Sequence, residues 1–121
     1  MYLRHMIGKI GENLAVDYLK KNNYKIIQRN FECKSGEIDI IAIDLNVSPN
    51  EIVFFEVKTR TNNKYGKPID AVNQIKQKHI YKATKYYLYI KGFESEYIRL
   101  DAIEIYIKNN KYYINHIKQI V

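Results

Sequence analysis

The sequence predicts an α/β fold in which a mixed β-sheet is flanked by helices, and three observations lead to this prediction. Apolar residues recur three and four positions apart near the N-terminus and again in the second half of the chain, which is the period of an amphipathic helix. Between and after these segments lie apolar runs of strand length, separated by turn residues. With 121 residues, 46% hydrophobic and 27% charged, the chain has the size and composition of one globular domain. We expect a single domain over residues 1–121 with the element order αβββαββ.

The first helix and the three strands after it are bounded by residues that favour turns. The helix is predicted from Leu3 to Lys21, and Asn22 and Asn23 supply a left-handed stop. The separators between the strands, Lys34-Ser35-Gly36 and Asn46 to Asn50, both have turn composition, which favours an antiparallel meander. The strands are predicted at Tyr24–Cys33, Glu37–Asp44 and Ile52–Thr59.

The second half of the chain predicts a loop, a helix and a closing hairpin. Residues Arg60 to Pro68 are polar and form the predicted loop. Helical spacing returns from Val72 to about Lys91, and Gly92 ends the helix. Two strands, 97–107 and 112–118, then pair around Asn109-Asn110, a dipeptide suited to a hairpin turn.

Charge and composition narrow the classes of function. The net charge is +7 and the isoelectric point is near 9.4, which favours approach to a polyanion such as nucleic acid, although a composition rich in Lys, Ile, Asn and Tyr also explains part of this charge. No apolar run approaches the roughly 20 residues of a membrane span. We expect a soluble, cytoplasmic protein whose single cysteine, Cys33, packs in the interior.

Two carboxylates lie at the polar ends of neighbouring apolar strands. Alternation places Glu37, Asp39, Ile41 and Ile43 on one face of the second strand, and Phe54, Glu56 and Lys58 on one face of the third. If the strands pair, Asp39 and Glu56 converge, and buried charges need a cation, a partner or water. Two carboxylates and the Val57 carbonyl form a partial shell for a hydrated divalent cation such as Mg²⁺.

Lys58 follows Glu56 by two residues and points to the same side of the strand. There an ammonium group can hold or deprotonate an attacking water and stabilise charge on a phosphate. This arrangement suits phosphodiester hydrolysis. The alternative is an ordinary ion pair at a strand end, worth about 0–1 kcal/mol when exposed.

Glu12 shares the apolar face of the first helix, since it lies three and four residues from Ala15 and Val16 and seven from Leu19. An acid that faces the sheet needs a partner there. The alternative is a glutamate at the edge of the apolar stripe that reaches water.

Other polar and aromatic residues give weaker signals. Arg60 and Lys64 are candidate phosphate contacts, or else belong to a flexible basic loop. Arg99 and Asp101 share a strand face and are interpreted as a structural pair. His79 is interpreted as packed and hydrogen-bonded, whereas His5 and His116 have no evident partners. Tyrosines can stack on bases, but core and strand packing already explain four of them: Tyr86, Tyr87, Tyr112 and Tyr113.

These motifs together resemble a known family. In order and spacing they are similar to the YraN-like bacterial proteins of the restriction-endonuclease-like superfamily, which are close to archaeal Holliday-junction resolvases. The resemblance covers nearly the whole chain. It is carried by Gly8-x-x-Gly11-Glu12, Asn30, Gly36-Glu37-Ile38-Asp39, Phe55-Glu56-Val57-Lys58-Thr59-Arg60, Tyr65-Gly66, Lys76 and Arg99-Leu100-Asp101.

The resemblance implies a restriction-endonuclease-like αβββαβ core with an extra C-terminal strand. It implies that Asp39 and Glu56 ligate Mg²⁺ or Mn²⁺, that Lys58 serves the attacking water and that Glu12 completes the acidic cluster. It also implies a homodimer acting on branched DNA. On the strength of the resemblance, Lys76 becomes a candidate phosphate contact, although a helix-surface lysine is usually only solvated.

The leading hypothesis is a Mg²⁺- or Mn²⁺-dependent DNA endonuclease that selects DNA structure rather than sequence. A rival of another class is a non-catalytic nucleic-acid-binding module that retains the fold. A metal-dependent nuclease acting on RNA also stays open, because no residue visibly senses a 2′-hydroxyl.

Overall fold

The structure, a computed structural model, describes residues 2–61, 74–93 and 97–120. Two helices and five strands follow in the predicted order. Most predicted bounds agree within one or two residues, although part of the predicted loop and the start of the second helix lie outside the described residues. The elements are α1 (Tyr2–Lys21), β1 (Tyr24–Cys33), β2 (Gly36–Asp44), β3 (Glu51–Arg60), α2 (Gln74–Lys91), β4 (Ile98–Lys108) and β5 (Lys111–Ile117).

The five strands form one mixed sheet in the order β1-β2-β3-β4-β5. β1, β2 and β3 form the predicted antiparallel meander, β3 and β4 are parallel, and β4 and β5 form the closing hairpin. The parallel step is the crossover that contains α2. The α/β fold with a mixed sheet is therefore confirmed.

Several of these elements end or turn at asparagines whose backbone conformation is left-handed. Asn23 has φ 65°, which stops α1 as predicted. Asn109 and Asn110 have φ 52° and 61°, the conformation that a two-residue hairpin turn requires at both central positions.

Each helix covers one face of the sheet with its own hydrophobic cluster. On the α1 side, Ala15, Val16 and Leu19 pack against strand residues such as Ile40 and Phe55. On the α2 side, the cluster contains Ile38, Ile41, Phe54, Ile80, Ala83 and Tyr87, and partly buried Cys33 packs against it, so its packing role is confirmed. Because both faces of the sheet are covered, consecutive residues in the middle of β3 and β4 are buried without the alternation of a half-exposed strand.

Gly11 brings α1 close to the end of β3. A Cβ atom at this position would clash with the Thr59 side chain, so glycine permits this approach. This close approach sets the position along β3 at which the next residue, Glu12, faces the sheet.

A candidate metal centre where two strands separate

The candidate site lies where β2 and β3 separate. The two strands pair from Asp44↔Glu51 to Ile40↔Phe55. Beyond that point, β2 continues along β1 and β3 continues along β4. Asp39 and Glu56 are the first residues past the last pair, so the structure places them side by side in this fork.

The predicted alternation of β2 is wrong at Asp39. Ile40 packs on the α1 side, but Ile38, two residues away, packs on the α2 side together with Ile41. Across from this point on β1 lies Asn30 with φ 52°, between the pairs Arg29↔Ile40 and Phe31↔Ile38. This left-handed residue changes the face that each strand presents, so Glu37 does not share a face with Ile41.

The Asp39 carboxylate is held within the fork. Its Oδ2 accepts a hydrogen bond of 2.7 Å from the backbone N–H of Val57. Because the N–H and C=O of a strand residue point to the same neighbouring strand, the Val57 carbonyl also faces the β2 side. Carboxylate and carbonyl oxygens therefore face the same gap.

Burial is the main cause that raises the pKa of Asp39 to about 7, and the neighbouring Glu56 charge raises it further. The hydrogen bond from Val57 opposes this effect, whereas the charges of Glu37 and Glu12 add to it. The fork is thus a buried site with an excess of negative charge.

Glu56 and Lys58 lie on the same strand face, as the alternation predicts. Glu56 is buried, and its Oε1 lies 3.6 Å from Nζ of the more exposed Lys58. At this distance the contact is a charge interaction rather than a close hydrogen bond. The ammonium group consequently stands beside the acidic pair while reaching solvent.

Glu12 approaches from the α1 side and is held by β1. Its Oε1 accepts hydrogen bonds from Arg29 Nε at 3.0 Å and from Asn30 Nδ2 at 3.2 Å. Arg29 Nη2 also lies 2.9 Å from this oxygen and donates to Asn13 Oδ1. The sequence indicated an acid facing the sheet but missed Arg29 as its partner.

Two carboxylates and a carbonyl suit a hard cation that keeps several waters. Within the described ranges, no group of three or more His, Cys, Asp or Glu side chains is placed to hold a metal. The donors that fit are therefore Asp39, Glu56 and the Val57 carbonyl. That Glu12 shares the same ion stays a prediction; all the contacts with Arg29 and Asn30 are made by its Oε1.

Arg60 ends β3, where the sequence predicted the start of a loop. Its Nε lies 3.3 Å from Oε1 of Glu104, a residue that sequence reasoning missed. Glu104 is 2% exposed and lies directly across from Lys58 in the parallel register. The sequence signal was its spacing. Leu100 and Ala102 are buried on the α2 side, and Glu104 is the next residue on the same face of β4, so alternation predicts its burial there. Lys64 and the Lys76 side chain lie outside the described residues.

A second charged cluster occupies the opposite end of β3. Arg99 donates hydrogen bonds to both oxygens of Asp101 at 2.9 Å, which agrees with their interpretation as a structural pair. It also donates to Asp44, Glu51 and the Tyr24 hydroxyl. We define Arg99 and these four residues as the arginine cluster.

Two histidines differ from their predicted surroundings. The expectation that His116 has no partners is wrong, since its Nε2 lies 2.7 Å from Asp101 Oδ2 and its Nδ1 2.9 Å from the Tyr18 hydroxyl. His79 is hydrogen-bonded to the Ser35 carbonyl at 2.9 Å, as expected, but its side chain is exposed rather than packed.

A mixed sheet covered on both faces, with an αβββαβ core and an added C-terminal strand, defines a restriction-endonuclease-like α/β protein. The chain belongs to the family described as "Uncharacterised protein family UPF0102", whose model matches residues 11–105. This is the YraN family indicated by the motifs.

Curated relatives are similar along nearly their whole length. A UPF0102 protein of Clostridium perfringens is 47% identical over 93% of this chain and 90% of its own. One from Clostridium botulinum is 46% identical over 97% and 94%, and one from Caldicellulosiruptor bescii is 47% identical over 93% of both chains. None of these names states an activity.

A solved structure titled "Crystal structure of SSO0001" is similar with 20% identity and a TM-score of 0.38. The match covers 96% of this chain and 52% of that chain, so the chain spans about half its length. Separately, no helix in the described part of the chain is long and apolar enough to cross a membrane.

Proposed function

We propose that this protein is a divalent-metal-dependent nuclease that hydrolyses phosphodiester bonds in DNA. The observation that carries the proposal is the fork, where Asp39 lies beside the buried Glu56 and where burial, followed by the charge of Glu56, raises the pKa of Asp39 to about 7. A lysine stands beside them, 3.6 Å from Glu56. A bound divalent cation stabilises neighbouring carboxylates whose charge burial penalises.

Each residue of the fork has a distinct role in this proposal. Asp39, Glu56 and the Val57 carbonyl hold Mg²⁺ or Mn²⁺, which when bound would stabilise the negative charge that builds on the scissile phosphate. Lys58 orients the attacking water or accepts its proton, and its charge favours the approach of the phosphate. Arg60, Lys64 and Lys76 are proposed to contact the DNA backbone, which positions the substrate without reading sequence.

Cleavage assays on linear, flapped and four-way DNA with Mg²⁺ or Mn²⁺ test this proposal. The wild type is expected to cut at least one of these DNAs. Asp39→Asn and Glu56→Gln are expected to abolish cutting, and Lys58→Ala to slow it by about 10²–10³-fold, as for the loss of one charge-stabilising group. Glu37→Gln is the matched control, because it removes a nearby negative charge without removing a proposed ligand. A wild type that cuts none of these DNAs contradicts the proposal.

The rival function is a non-catalytic nucleic-acid-binding module, which the net charge of +7 favours. It predicts DNA affinity that falls steeply with salt and does not depend on metal or on Asp39. An RNA substrate in the same panel separates a DNA nuclease from an RNA nuclease. Sedimentation of the wild type with a four-way junction tests the proposed homodimer.

A further inference from the structure

The outer face of α2 combines lysines and exposed tyrosines. Helix α2 contains five lysines and no aspartate or glutamate. Its inner face packs on the sheet through Ile80, Ala83 and Tyr87. The opposite side is solvent-exposed, and at about 100° per residue five residues fall within a single arc of about 100°: Lys78, Tyr81, Lys82, Lys85 and Tyr89. We call these five residues the α2 outer face.

The tyrosines of this helix are not core residues, apart from Tyr87. Tyr81 is 45% exposed and Tyr89 is 82% exposed, and Tyr86 beside the arc is 48% exposed. Tyr86 packs only at the edge of the core, where its ring centre lies 6.4 Å from that of the buried Phe31, whereas Tyr87, at 3% exposure, lies in the core as expected. Aromatic rings left in water contribute little to folding, so their presentation on a charged face suggests a binding role.

Within the α2 outer face, charge and ring already interact. Lys85 Nζ lies 5.0 Å from the centre of the Tyr81 ring, a cation–π contact. Tyr81 and Tyr89 are eight residues apart, which is about 12 Å along the helix axis. The surface thus offers two separated stacking platforms with cations between them.

The position of α2 links this face to the fork. His79 is hydrogen-bonded to the Ser35 carbonyl in the turn between β1 and β2. The same turn leads through Gly36 and Glu37 to Asp39. The α2 outer face consequently begins near the end of the sheet that carries the fork and runs away from it.

We propose that the α2 outer face binds an unpaired strand of DNA, with Tyr81 and Tyr89 stacking on bases and the lysines contacting phosphates. Single strands are bound in this way because every base has a face for stacking and the backbone is uniformly negative. Duplex DNA hides those faces and offers only phosphates. This binding does not rest on the proposed cleavage, and it is measured without metal.

Fluorescence anisotropy of a labelled oligo(dT) of about 16 nucleotides, in EDTA, tests the proposal. Tyr81→Ala and Tyr89→Ala are each expected to weaken binding about 5-fold or more, while Tyr81→Phe keeps wild-type affinity because the ring remains. Lys82→Gln is expected to reduce the slope of log affinity against log salt by about 0.7. The tyrosine variants are expected to bind duplex DNA of the same length almost as tightly as the wild type does.

The matched controls are Tyr112→Ala and Tyr113→Ala. These tyrosines are 51% and 61% exposed, but they lie on the edge strand β5 and not on α2. They are expected to leave affinity unchanged. The proposal is overturned if Tyr81→Ala and Tyr89→Ala bind oligo(dT) as the wild type does, or if the β5 variants weaken binding equally. Tighter tyrosine-dependent binding of oligo(U), or of vesicles containing anionic lipid, also overturns the assignment to DNA.

Discussion

Two charged clusters beside β3, the arginine cluster and the fork, hold their carboxylates in opposite ways. In the arginine cluster, burial alone would raise the pKa of Asp101, but hydrogen bonds with His116 and Arg99 bring it below its ordinary value. In the fork, burial and Glu56 raise the pKa of Asp39 to about 7. In the arginine cluster the chain itself satisfies the carboxylates with hydrogen bonds, whereas in the fork burial and a second carboxylate favour the protonated form of Asp39.

This difference separates a structural cluster from a candidate functional one. Buried charges are retained where partners satisfy them, and breaking such a set leaves an uncompensated charge. Buried charges that repel one another destabilise the fold, which is typical of sites that bind a ligand or perform chemistry. Aspartate therefore has opposite roles in the two clusters, on two different neighbours of β3.

The largest expected effect is the loss of the arginine cluster. Arg99→Met leaves Asp44 and Asp101 buried without their cation, so the free energy of unfolding is expected to fall by about 3–5 kcal/mol. Arg29→Met is the matched control, because Arg29 pairs with Glu12 near the surface and its loss is expected to cost about 1 kcal/mol or less. Urea unfolding measures both. Equal losses of unfolding free energy in Arg99→Met and Arg29→Met would contradict the structural role of the arginine cluster.

Replacing aspartate with asparagine is expected to change the free energy of unfolding in opposite directions at Asp39 and at Asp101. Below about pH 4, Asp39 is protonated in the folded and the unfolded chain, so it does not affect stability. From pH 4 to 7 the unfolded carboxyl ionises while the folded one, with a pKa raised from 3.8 to about 7, resists. The destabilisation grows over this window and is constant above it.

Asp39→Asn is therefore expected to stabilise the metal-free protein at pH 8, by about 2–4 kcal/mol, and to have no such effect below pH 4. Asp101→Asn is expected to destabilise it at pH 8, since the pKa of Asp101 is lowered. Thermal unfolding in EDTA across this pH range measures both variants. Destabilisation by both at pH 8 would remove the contrast.

A packing prediction concerns the support of the fork. Gly11→Ala is expected to lower the free energy of unfolding by about 1–3 kcal/mol, because the new methyl group meets Thr59. Gly8→Ala is the control on the same helix, since nothing lies within 4 Å of its Cβ. Alanine there is expected to stabilise the helix by up to about 1 kcal/mol. A loss of stability in Gly8→Ala comparable to that in Gly11→Ala would contradict this reading.

The smallest expected change is at Glu104. Neither of its carboxylate oxygens has a hydrogen bond of good geometry among the described residues, but Arg60 Nε lies 3.3 Å away and an interaction with Glu104 raises the pKa of the Tyr106 hydroxyl. Glu104→Gln is expected to alter the free energy of unfolding by less than about 1 kcal/mol, because removing a poorly satisfied buried charge offsets the lost attraction. A loss of about 3 kcal/mol in urea unfolding would show instead that Glu104 belongs to a satisfied structural pair.

Much of the fold could be predicted because local signals agreed with the tertiary structure. The asparagines at 23, 109 and 110 ended or turned their elements as expected, since their side chains tolerate positive φ. The left-handed conformation of Asn30 was not predicted, because no glycine or proline stands beside it in the strand-like segment Tyr24–Cys33. The change of face between Ile38 and Ile40, which moves Glu37 off the predicted face, was therefore not predicted either.

The candidate site was only partly predictable for a related reason. Asp39, Glu56 and Lys58 were predicted because they lie close in sequence to the ends of two strands that were expected to be neighbours. Contacts between residues distant in sequence, such as Glu12 with Arg29 or Arg60 with Glu104, depend on sheet register and helix height. The partner of His116 was missed likewise, because Asp101 lies on another strand.

Calorimetric titration of Mn²⁺ at pH 8 and pH 6 tests the central claim, that the fork holds a divalent cation. The wild type is expected to bind Mn²⁺, and more weakly at pH 6, because Asp39 with a pKa of about 7 must lose its proton to become a ligand. Asp39→Asn is expected to lose this binding, whereas Glu37→Gln keeps it. Absence of Mn²⁺ binding by the wild type at pH 8, or equal binding by Asp39→Asn, would contradict the claim.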